Sequence, residues 1–157
     1  MNEEQRFWSH VHKSTNPDEC WEWQGTLRNG YGEFKRHIYA RRYSYQLANG
    51  PIPNGMMIDH ICFNRRCVNP QHLRLATNSQ NMEHLQGAFK NNKSCGIRGV
   101  TWAKHANMWK VQVCHNYHRY RGGYFHNLAE AEQAAITLRN KVMQFNDLDR
   151  TPISNNN

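Results

Sequence analysis

The sequence has no long apolar runs. Hydrophobic residues make up 38% of its 157 residues, and no stretch approaches the roughly 20 apolar residues of a membrane span. The first ten residues, MNEEQRFWSH, contain no apolar core of the kind found in signal peptides. These absences predict a soluble, intracellular protein with no membrane partner, and a small core that benefits from a staple such as a metal.

Cysteine is too sparse for a complete disulfide framework. Five cysteines occur, which is an odd number, at positions Cys20, Cys62, Cys67, Cys95 and Cys114. In a reducing compartment, closely spaced cysteines beside a histidine bind metal more often than they form disulfides. The pattern therefore indicates a metal site.

Acidic residues are absent from a long interior stretch, because no Asp or Glu occurs between Glu83 and Glu130. The basic residues of this interval are Lys90, Lys93, Arg98, Lys104, Lys110, Arg119 and Arg121. The whole chain has a net charge of +8 and a pI of about 9.5. This balance favours polyanionic partners, mainly nucleic acid, with a merely solvated basic face as the alternative.

A polar stretch, FKNNKSCG at 89–96, divides the sequence into two segments, predicted to be domains 1–92 and 93–157. In the first, RNGYG is an Asn-Gly hairpin signal, and HIYARRYSYQLANG has a helical pattern. The apolar stretch MMID predicts a short strand leading to His60, and a helix is expected to begin at Ser79 as its N-cap. Residues Glu4–His12 are expected to be helical as well.

The second segment reads as three short strands followed by a helix. GVTW, MWKVQVC and RYRGGYF have strand composition, and NLAEAEQAAITLRNKVM is helical. The apolar stripe of this helix consists of Leu128, Ala131, Ala135, Leu138 and Val142. The predicted fold class is α+β, with a three-stranded antiparallel sheet plus a helix in the second domain.

Two cysteines and a histidine recur at regular spacing in the first segment, at Cys62, Cys67 and His72. A closed structural zinc site needs four ligands. Cys20 is the natural fourth because it precedes the tryptophan-rich strand of the same segment, and the remaining cysteines fit less well. The alternative is a set of unrelated buried cysteines. A closed site leaves any chemistry to other residues.

Polar residues flank this loop on both sides, with Asp59 and His60 before it and Asn81 and His84 after it. A histidine near its ordinary pKa can take a proton from water. Carboxylate and amide oxygens can hold a hard cation such as Mg²⁺. Together these groups suit hydrolysis of a phosphodiester, whereas each one alone is more simply explained as a turn or surface residue.

The spacing His60-x-Cys62-x4-Cys67-x4-His72-x8-Asn81 resembles that of the His-Cys box and related HNH homing endonucleases, which share the ββα-metal fold. The stretches CWEWQG, GYG, IDHICFNRRCVNPQHL and QN are similar to the zinc-containing HNH endonucleases common in phage genomes. The resemblance covers roughly residues 5–90. It implies that His60 is the general base and that Asp59 and Asn81 bind a catalytic divalent cation, Mg²⁺ or similar. It also implies a structural Zn²⁺ site, with the ligands Cys20, Cys62, Cys67 and His72.

One departure concerns the residue that orients the base. Plain HNH sequences have an asparagine at the middle position, where this chain has the zinc-type His72. The group that orients His60 is therefore left open between a backbone carbonyl and Asn69. His84 is a candidate extra metal ligand, and the cysteines for the second zinc cluster of His-Cys box enzymes are missing.

The strand pattern of the second segment predicts a basic face. If Trp109, Val111 and Val113 pack on the helix, then Lys110 and Gln112 lie on the opposite side. Arg119 and Arg121 have matching parity in the next strand. Such a face fits the DNA major groove, with most contacts going to phosphates.

Residues 94–145 also resemble the AP2 DNA-binding domain, through RGV, a central tryptophan, GGYF and the Ala-rich helix. The positions that touch DNA in that family correspond to Arg98, Thr101, Gln112, Arg119 and Arg121. Ala103 stands where an arginine is expected. The alternative is a small α+β domain with a solvated basic face.

The resulting prediction is a metal-dependent DNA endonuclease of the homing type, directed to double-stranded DNA by its C-terminal domain. If the gene is carried by a phage, it is expected to act in the cytoplasm of the host cell. A non-catalytic, zinc-stabilised DNA-binding regulator is the main alternative, and an RNA-binding or RNA-cutting protein is a weaker one. Oligomeric state, monomer or homodimer, and the choice between a nick and a double-strand break are left open.

Overall fold

The computed structural model describes residues 1–85 and 87–150. Chain contacts divide the protein into two compact units, one ending at Asn78 and the other beginning at Ser79. This division precedes the domain boundary predicted at 92/93, which stays a prediction. Residues 151–157 of the predicted second domain lie outside the described residues.

The first unit contains two helices and short strands. Its elements up to the second helix are α1 (Glu3–Trp8), β1 (Val11–His12), β2 (Glu22–Trp23), β3 (Leu27–Arg28), β4 (Tyr31–Lys35), β5 (Ile38–Tyr39) and α2 (Ala40–Asn49). A capping box between Asn2 and Gln5 begins α1. The helix predicted over Glu4–His12 is shorter in the structure because Val11 pairs with Trp23 in a strand.

The predicted Asn-Gly hairpin is confirmed. Asn29 and Gly30 connect β3 to β4 with φ of 52° and 81°, the left-handed conformation that a two-residue turn of this kind requires. Strand β5 completes this small antiparallel sheet. Helix α2 follows directly and ends at Gly50, whose φ of 86° explains the glycine there.

Aromatic side chains form the core of the first unit around Phe7 and Trp23, which stack with ring centroids 5.3 Å apart. Ala40 and Val68 complete the fully buried cluster. A Cβ atom on Gly32 would lie 2.7 Å from Cδ1 of Trp23, so only glycine lets β4 pass this close to the indole.

A second hairpin positions the predicted site. It consists of β6 (Met57–His60) and β7 (Leu73–Ala76), joined by a long loop that ends in a 3₁₀ turn (Pro70–His72). Asp59 faces Arg74 across the hairpin, and His60 faces Leu73. The chain then enters α3 (Asn78–Glu83), giving the strand–strand–helix order that the ββα-metal resemblance predicts. Ser79 lies inside this helix and is not its N-cap, which corrects the prediction.

The second unit contains a three-stranded antiparallel sheet in the order β10-β9-β8. Its elements are β8 (Val100–Ala103), β9 (Met108–His115), β10 (His118–Phe125), α4 (Leu128–Val142) and α5 (Asp147–Arg150). Asn127 caps α4 by accepting a hydrogen bond from the Ala129 amide. The three strands and the long helix predicted from the sequence are confirmed.

One face of this sheet packs on α4 and forms the second core. Its fully buried residues are Val100, Val111, Ala131 and Ala135, with Leu128 and Leu138 packed against them. The protein is thus a mixed α/β protein with several small antiparallel sheets, whereas the AP2-like assignment stays a prediction. None of the helices in the described part of the chain has the length and apolar character that crossing a membrane requires.

Candidate active site and zinc centre

The four predicted zinc ligands meet in the first unit. Cys20 precedes β2, Cys62 and Cys67 lie in the loop after β6, and His72 ends the 3₁₀ turn. Their ligand atoms all lie within 4.8 Å of one another. The Nδ1 atom of His72 is 3.6 Å from the Cys20 sulfur and 3.5 Å from the Cys67 sulfur. Tetrahedral zinc with bonds of about 2.0–2.3 Å brings its ligands about this close.

The thiols of this cluster share their protons. A hydrogen bond from Cys67 stabilises the Cys62 thiolate and lowers the pKa of Cys62 to about 5. Giving that hydrogen bond raises the pKa of Cys67. Burial raises the pKa of Cys20. Three thiols and one imidazole gathered within such a short distance fit a zinc ion, which binds thiolates and neutral imidazole.

A buried asparagine, Asn69, connects two chain segments that carry predicted zinc ligands. It is 1% exposed, and its amide nitrogen donates to the carbonyls of Pro17 and Glu19 at 2.8 and 2.9 Å. Its side-chain oxygen accepts a hydrogen bond from the Gln71 amide. Asn69 thereby connects the segment that carries Cys20 to the loop between β6 and β7, residues 61–72, which is called the zinc loop below. It does not orient His60, which was one of the two options left open by the sequence.

His60 is oriented by a backbone carbonyl, the other option. Its Nε2 atom lies 3.0 Å from the carbonyl oxygen of Cys67, and the residue is 6% exposed. Because a carbonyl can only accept, Nε2 carries the proton of the neutral ring. Nδ1 is then the nitrogen with a basic lone pair. The loop that carries Cys67, a predicted zinc ligand, therefore also sets the tautomer of His60.

Asp59 lies beside His60 on β6 and is equally buried, at 6% exposed. Its Oδ2 atom accepts a hydrogen bond of 2.9 Å from Nε of Arg74, its partner across the hairpin. Its carboxylate is the donor type that a hard divalent cation requires. The sequence analysis missed Arg74, although the register of a β6–β7 hairpin was the signal that could have found it.

Asn81 and His84 belong with the second unit, since the division falls before Ser79. Asn81 is half-buried on α3, and His84 follows the end of the helix. The Nε2 atom of His84 lies 3.7 Å from a carboxylate oxygen of Asp147. The metal-binding roles assigned to Asn81 and His84 therefore stay predictions.

The sheet of the second unit brings five predicted DNA-binding residues to one face. Cross-strand pairs place Arg121 opposite Gln112 and Lys110 opposite Thr101. Arg119 pairs with Cys114, two residues along the same face. Val111 and Val113, which alternate with them, are buried on the α4 side. Thr101, Lys110, Gln112, Arg119 and Arg121 are defined here as the basic face, and a concavity of about 440 Å³ lies against its last four members.

Arg98 does not join the basic face. Its guanidinium donates to the Glu83 carbonyl at 2.8 Å and contacts the sulfur of Met143 at 3.4 Å. Burial lowers the pKa of Arg98, and the neighbouring Arg139 adds to this effect. Its internal contacts give it a structural role in the second unit and disfavour the DNA contact that the AP2 resemblance implied.

Comparison with known families identifies the class of this region. The model of the HNH endonuclease family matches residues 39–83, which include Asp59, His60, the zinc loop and Asn81. The stretch is thus an HNH endonuclease domain. No solved structure matches the chain.

Comparison with curated proteins identifies relatives of this chain. It is 36% identical to Protein 3.8 of Escherichia phage T7 over 91 residues, which are 55% of this chain and 70% of that protein. The chain therefore belongs to the same family as this phage protein. It is also 36% identical to Protein 7.7 of phage T7 over 72 residues, which are 43% of the chain but only 55% of Protein 7.7. The uncharacterized gene 5.3 protein of Enterobacteria phage T3 is 48% identical over 50 residues, 32% of the chain and 46% of that protein.

Proposed function

We propose that this protein is a metal-dependent endonuclease that hydrolyses phosphodiester bonds of double-stranded DNA. The observation that carries the proposal is the His60 imidazole, whose Nε2 atom contacts the Cys67 carbonyl within the HNH-matched stretch. A zinc-stabilised loop that served only to hold the chain together would not need a buried histidine with a fixed tautomer at its edge.

The chemistry assigned to His60 is general-base catalysis. With a proton on Nε2, the ring takes a proton from a water molecule at Nδ1. The resulting hydroxide oxygen forms a bond to phosphorus, and the bond from phosphorus to the leaving oxygen breaks. The Cys67 carbonyl stabilises the imidazolium that forms, because both ring nitrogens of the charged ring are donors.

Asp59 supplies the carboxylate for the catalytic cation, and Asn81 is proposed as the second protein ligand. When bound, a divalent cation of the Mg²⁺ type stabilises negative charge on the phosphate and on the leaving oxygen. The Arg74 contact holds the Asp59 side chain on one face of the β6–β7 hairpin. The cysteine-rich cluster is a closed site, so its Zn²⁺ would serve structure alone.

The second unit is proposed to supply DNA affinity and target choice, as an AP2-like domain does. The support is the basic face, on which Lys110, Arg119 and Arg121 lie together. These residues belong to the part of the sequence that contains no Asp or Glu. Positive charge of this kind binds phosphates first, and Gln112 and the arginines are the residue types that read base edges. The homing type is proposed from the sequence resemblance alone.

The test is conversion of a supercoiled plasmid to nicked or linear DNA by zinc-loaded protein, with and without added Mg²⁺. We expect cleavage only with Mg²⁺. Replacing Asp59 with Asn is expected to abolish most of the cleavage that added Mg²⁺ supports. The exposed Asp18, replaced with Asn, is the matched control. Salt-sensitive DNA binding without cleavage in any divalent cation would instead establish the non-catalytic regulator.

A further inference from the structure

Two arginines surround the tyrosine that stacks beside the proposed base. The ring of Tyr31 lies 6.0 Å from the His60 ring at an interplanar angle of 23°. The guanidinium carbon of Arg41 lies 4.1 Å from the centre of the Tyr31 ring, and that of Arg65 lies 5.3 Å from it. Positive charge is thus gathered next to His60.

Arg41 comes from the first turn of α2 and is held by aromatic rings. Its guanidinium contacts the Tyr39 ring at 5.1 Å in addition to Tyr31. The Nε atom of Arg41 is buried and has no hydrogen-bond partner among residues 1–85 and 87–150. Burial lowers the pKa of Arg41, while Tyr31 opposes the shift. A desolvated donor without an acceptor is unfavourable unless a ligand supplies one.

Arg65 comes from the zinc loop, between Cys62 and Cys67. It is exposed, and its stem passes over the β3–β4 turn, where a Cβ atom on Gly30 would lie 3.7 Å from its Cδ. Within the described residues, neither Arg41 nor Arg65 forms an ion pair with a carboxylate. The first turn of α2 also contains no acidic residue.

We propose that Arg41 and Arg65 bind backbone phosphates of the DNA strand whose bond is cleaved beside His60. The guanidinium fork matches two phosphate oxygens, which would provide the acceptor that Nε of Arg41 lacks. Tyr31 fixes the distance between the arginines and the base because all three groups pack around its ring. The inference rests on the proposed nuclease function and adds the residues that position the substrate.

Two measurements on the full-length, zinc-loaded protein test the pair. The first is the rate of plasmid cleavage. The second is the salt dependence of binding to a fluorescein-labelled duplex, measured in a His60→Ala background so that cleavage does not interfere. Arg65→Ala removes an exposed charge and leaves the fully buried core of the first unit intact. Arg41→Met keeps the apolar stem between the rings but loses the charge, and Arg41→Lys keeps the charge but loses the fork.

We expect Arg41→Met to lower the cleavage rate about 100-fold, as loss of one well-placed donor to a developing charge does. Arg65→Ala should lower it about 10-fold and reduce the slope of log K against log salt by about 0.9, the value for one phosphate contact. Arg41→Lys should keep the slope but not the rate. Exposed Arg36, replaced with Ala, is the matched control and should leave the cleavage rate unchanged.

The outcomes separate this inference from the proposed function. If the wild type cleaves, and Arg41→Met and Arg65→Ala behave like Arg36→Ala, the phosphate site is wrong while the nuclease stands. If nothing cleaves but the slope falls in Arg41→Met and Arg65→Ala and not in Arg36→Ala, the phosphate site stands and the nuclease fails. Equal losses of cleavage rate in Arg41→Met, Arg65→Ala and the control Arg36→Ala would also overturn the inference. So would slower cleavage that is explained by a lower melting temperature.

Discussion

At the residue scale, two side chains that bind backbone carbonyls organise the site. His60 donates from Nε2 to the Cys67 carbonyl, and Asn69 donates to the carbonyls of Pro17 and Glu19. All of these hydrogen bonds involve the zinc loop, so the proposed zinc site and the orientation of the proposed base depend on the same segment. Loss of zinc is therefore expected to unfold the loop and, with it, to remove the Cys67 contact that selects the tautomer of His60.

The first prediction concerns Asn69. Replacing it with Ala leaves two backbone carbonyls without their donor and frees the segment that carries Cys20. We expect the affinity for zinc to fall about 10- to 100-fold, as for other residues that hold metal ligands in place. Competition with a chromogenic chelator measures this, with exposed Asn54→Ala as control. An affinity equal to that of the wild type would show that Cys20 is positioned by other contacts.

At the element scale, the sequence predicted what local patterns determine and missed what tertiary contacts determine. The Asn29-Gly30 turn, the α4 stripe and the spacing of Cys62, Cys67 and His72 follow from local rules. The four-residue spacing of Phe7 and Val11 predicted a longer α1, but pairing with Trp23 makes Val11 part of a strand. The cluster of Tyr31, Arg41 and Arg65 was not predicted because its members come from a turn, a helix and the zinc loop.

An ion pair between Arg139 of α4 and Asp149 of α5 supports a prediction about the pH dependence of stability. Arg139 is 4% exposed and binds both carboxylate oxygens of Asp149, at 2.5 and 2.9 Å. Burial alone would raise the pKa of Asp149, but hydrogen bonds from Arg139 and Asn146 outweigh it and lower the pKa below its ordinary value. The resulting stability is present above the ordinary pKa of Asp and is lost as pH falls through the lower, folded value.

Replacing Asp149 with Asn is therefore expected to destabilise the second unit at pH 7 by about 2 kcal/mol, because a buried guanidinium loses its counter-ion. The difference from wild type should shrink as the pH approaches 3. Hydrogen exchange of the α4 amides, compared between variants at equal pH, measures it, with Asp18→Asn as control. A difference that grows on acidification would contradict the sign of the argument.

The β9–β10 turn contains a strained residue that can be relieved. Tyr117 has a φ of 65° and is fully exposed, so it adopts the left-handed conformation without packing against the sheet. That conformation costs a side-chain-bearing residue about 1–2 kcal/mol. Tyr117→Gly should therefore raise stability by about 0.5–1 kcal/mol in thermal unfolding, after the entropy of glycine is subtracted.

Asn107 is the matched position in the β8–β9 turn, with a φ of 52°. Because asparagine tolerates the left-handed region, Asn107→Gly should change stability little. A drop in stability for Tyr117→Gly would mean that the tyrosine makes stabilising contacts and that its backbone is not strained.

At the scale of the whole molecule, charge is distributed unevenly. The chain has a net charge of +8 and a long interior stretch without acidic residues. The sheet brings some of the basic residues of that stretch together on the basic face. Composition alone predicted a polyanionic partner. Only the observed strand register shows that Arg121 lies opposite Gln112 while Arg98 turns to the interior.

The basic face makes a quantitative prediction for DNA binding. Replacing Arg119 and Arg121 together with Ala should reduce the salt slope of DNA binding by about 2, since each phosphate contact contributes about 0.9. The control removes two exposed charges elsewhere in the second unit, by Lys93→Ala and Lys141→Ala, and should leave the slope nearly unchanged. Equal losses in both double variants would show that net charge, and not this face, governs binding.

The measurement that tests the central claim most directly is the rate of plasmid nicking by wild type, His60→Ala and the exposed-histidine control His12→Ala, at equal zinc content. We expect His60→Ala to lose about 100- to 10,000-fold in rate, the range for a general base. We expect His12→Ala to match the wild type, and DNA binding to persist in all three proteins. Cleavage by His60→Ala at the wild-type rate would contradict the claim that this histidine, held by the zinc loop, activates the water.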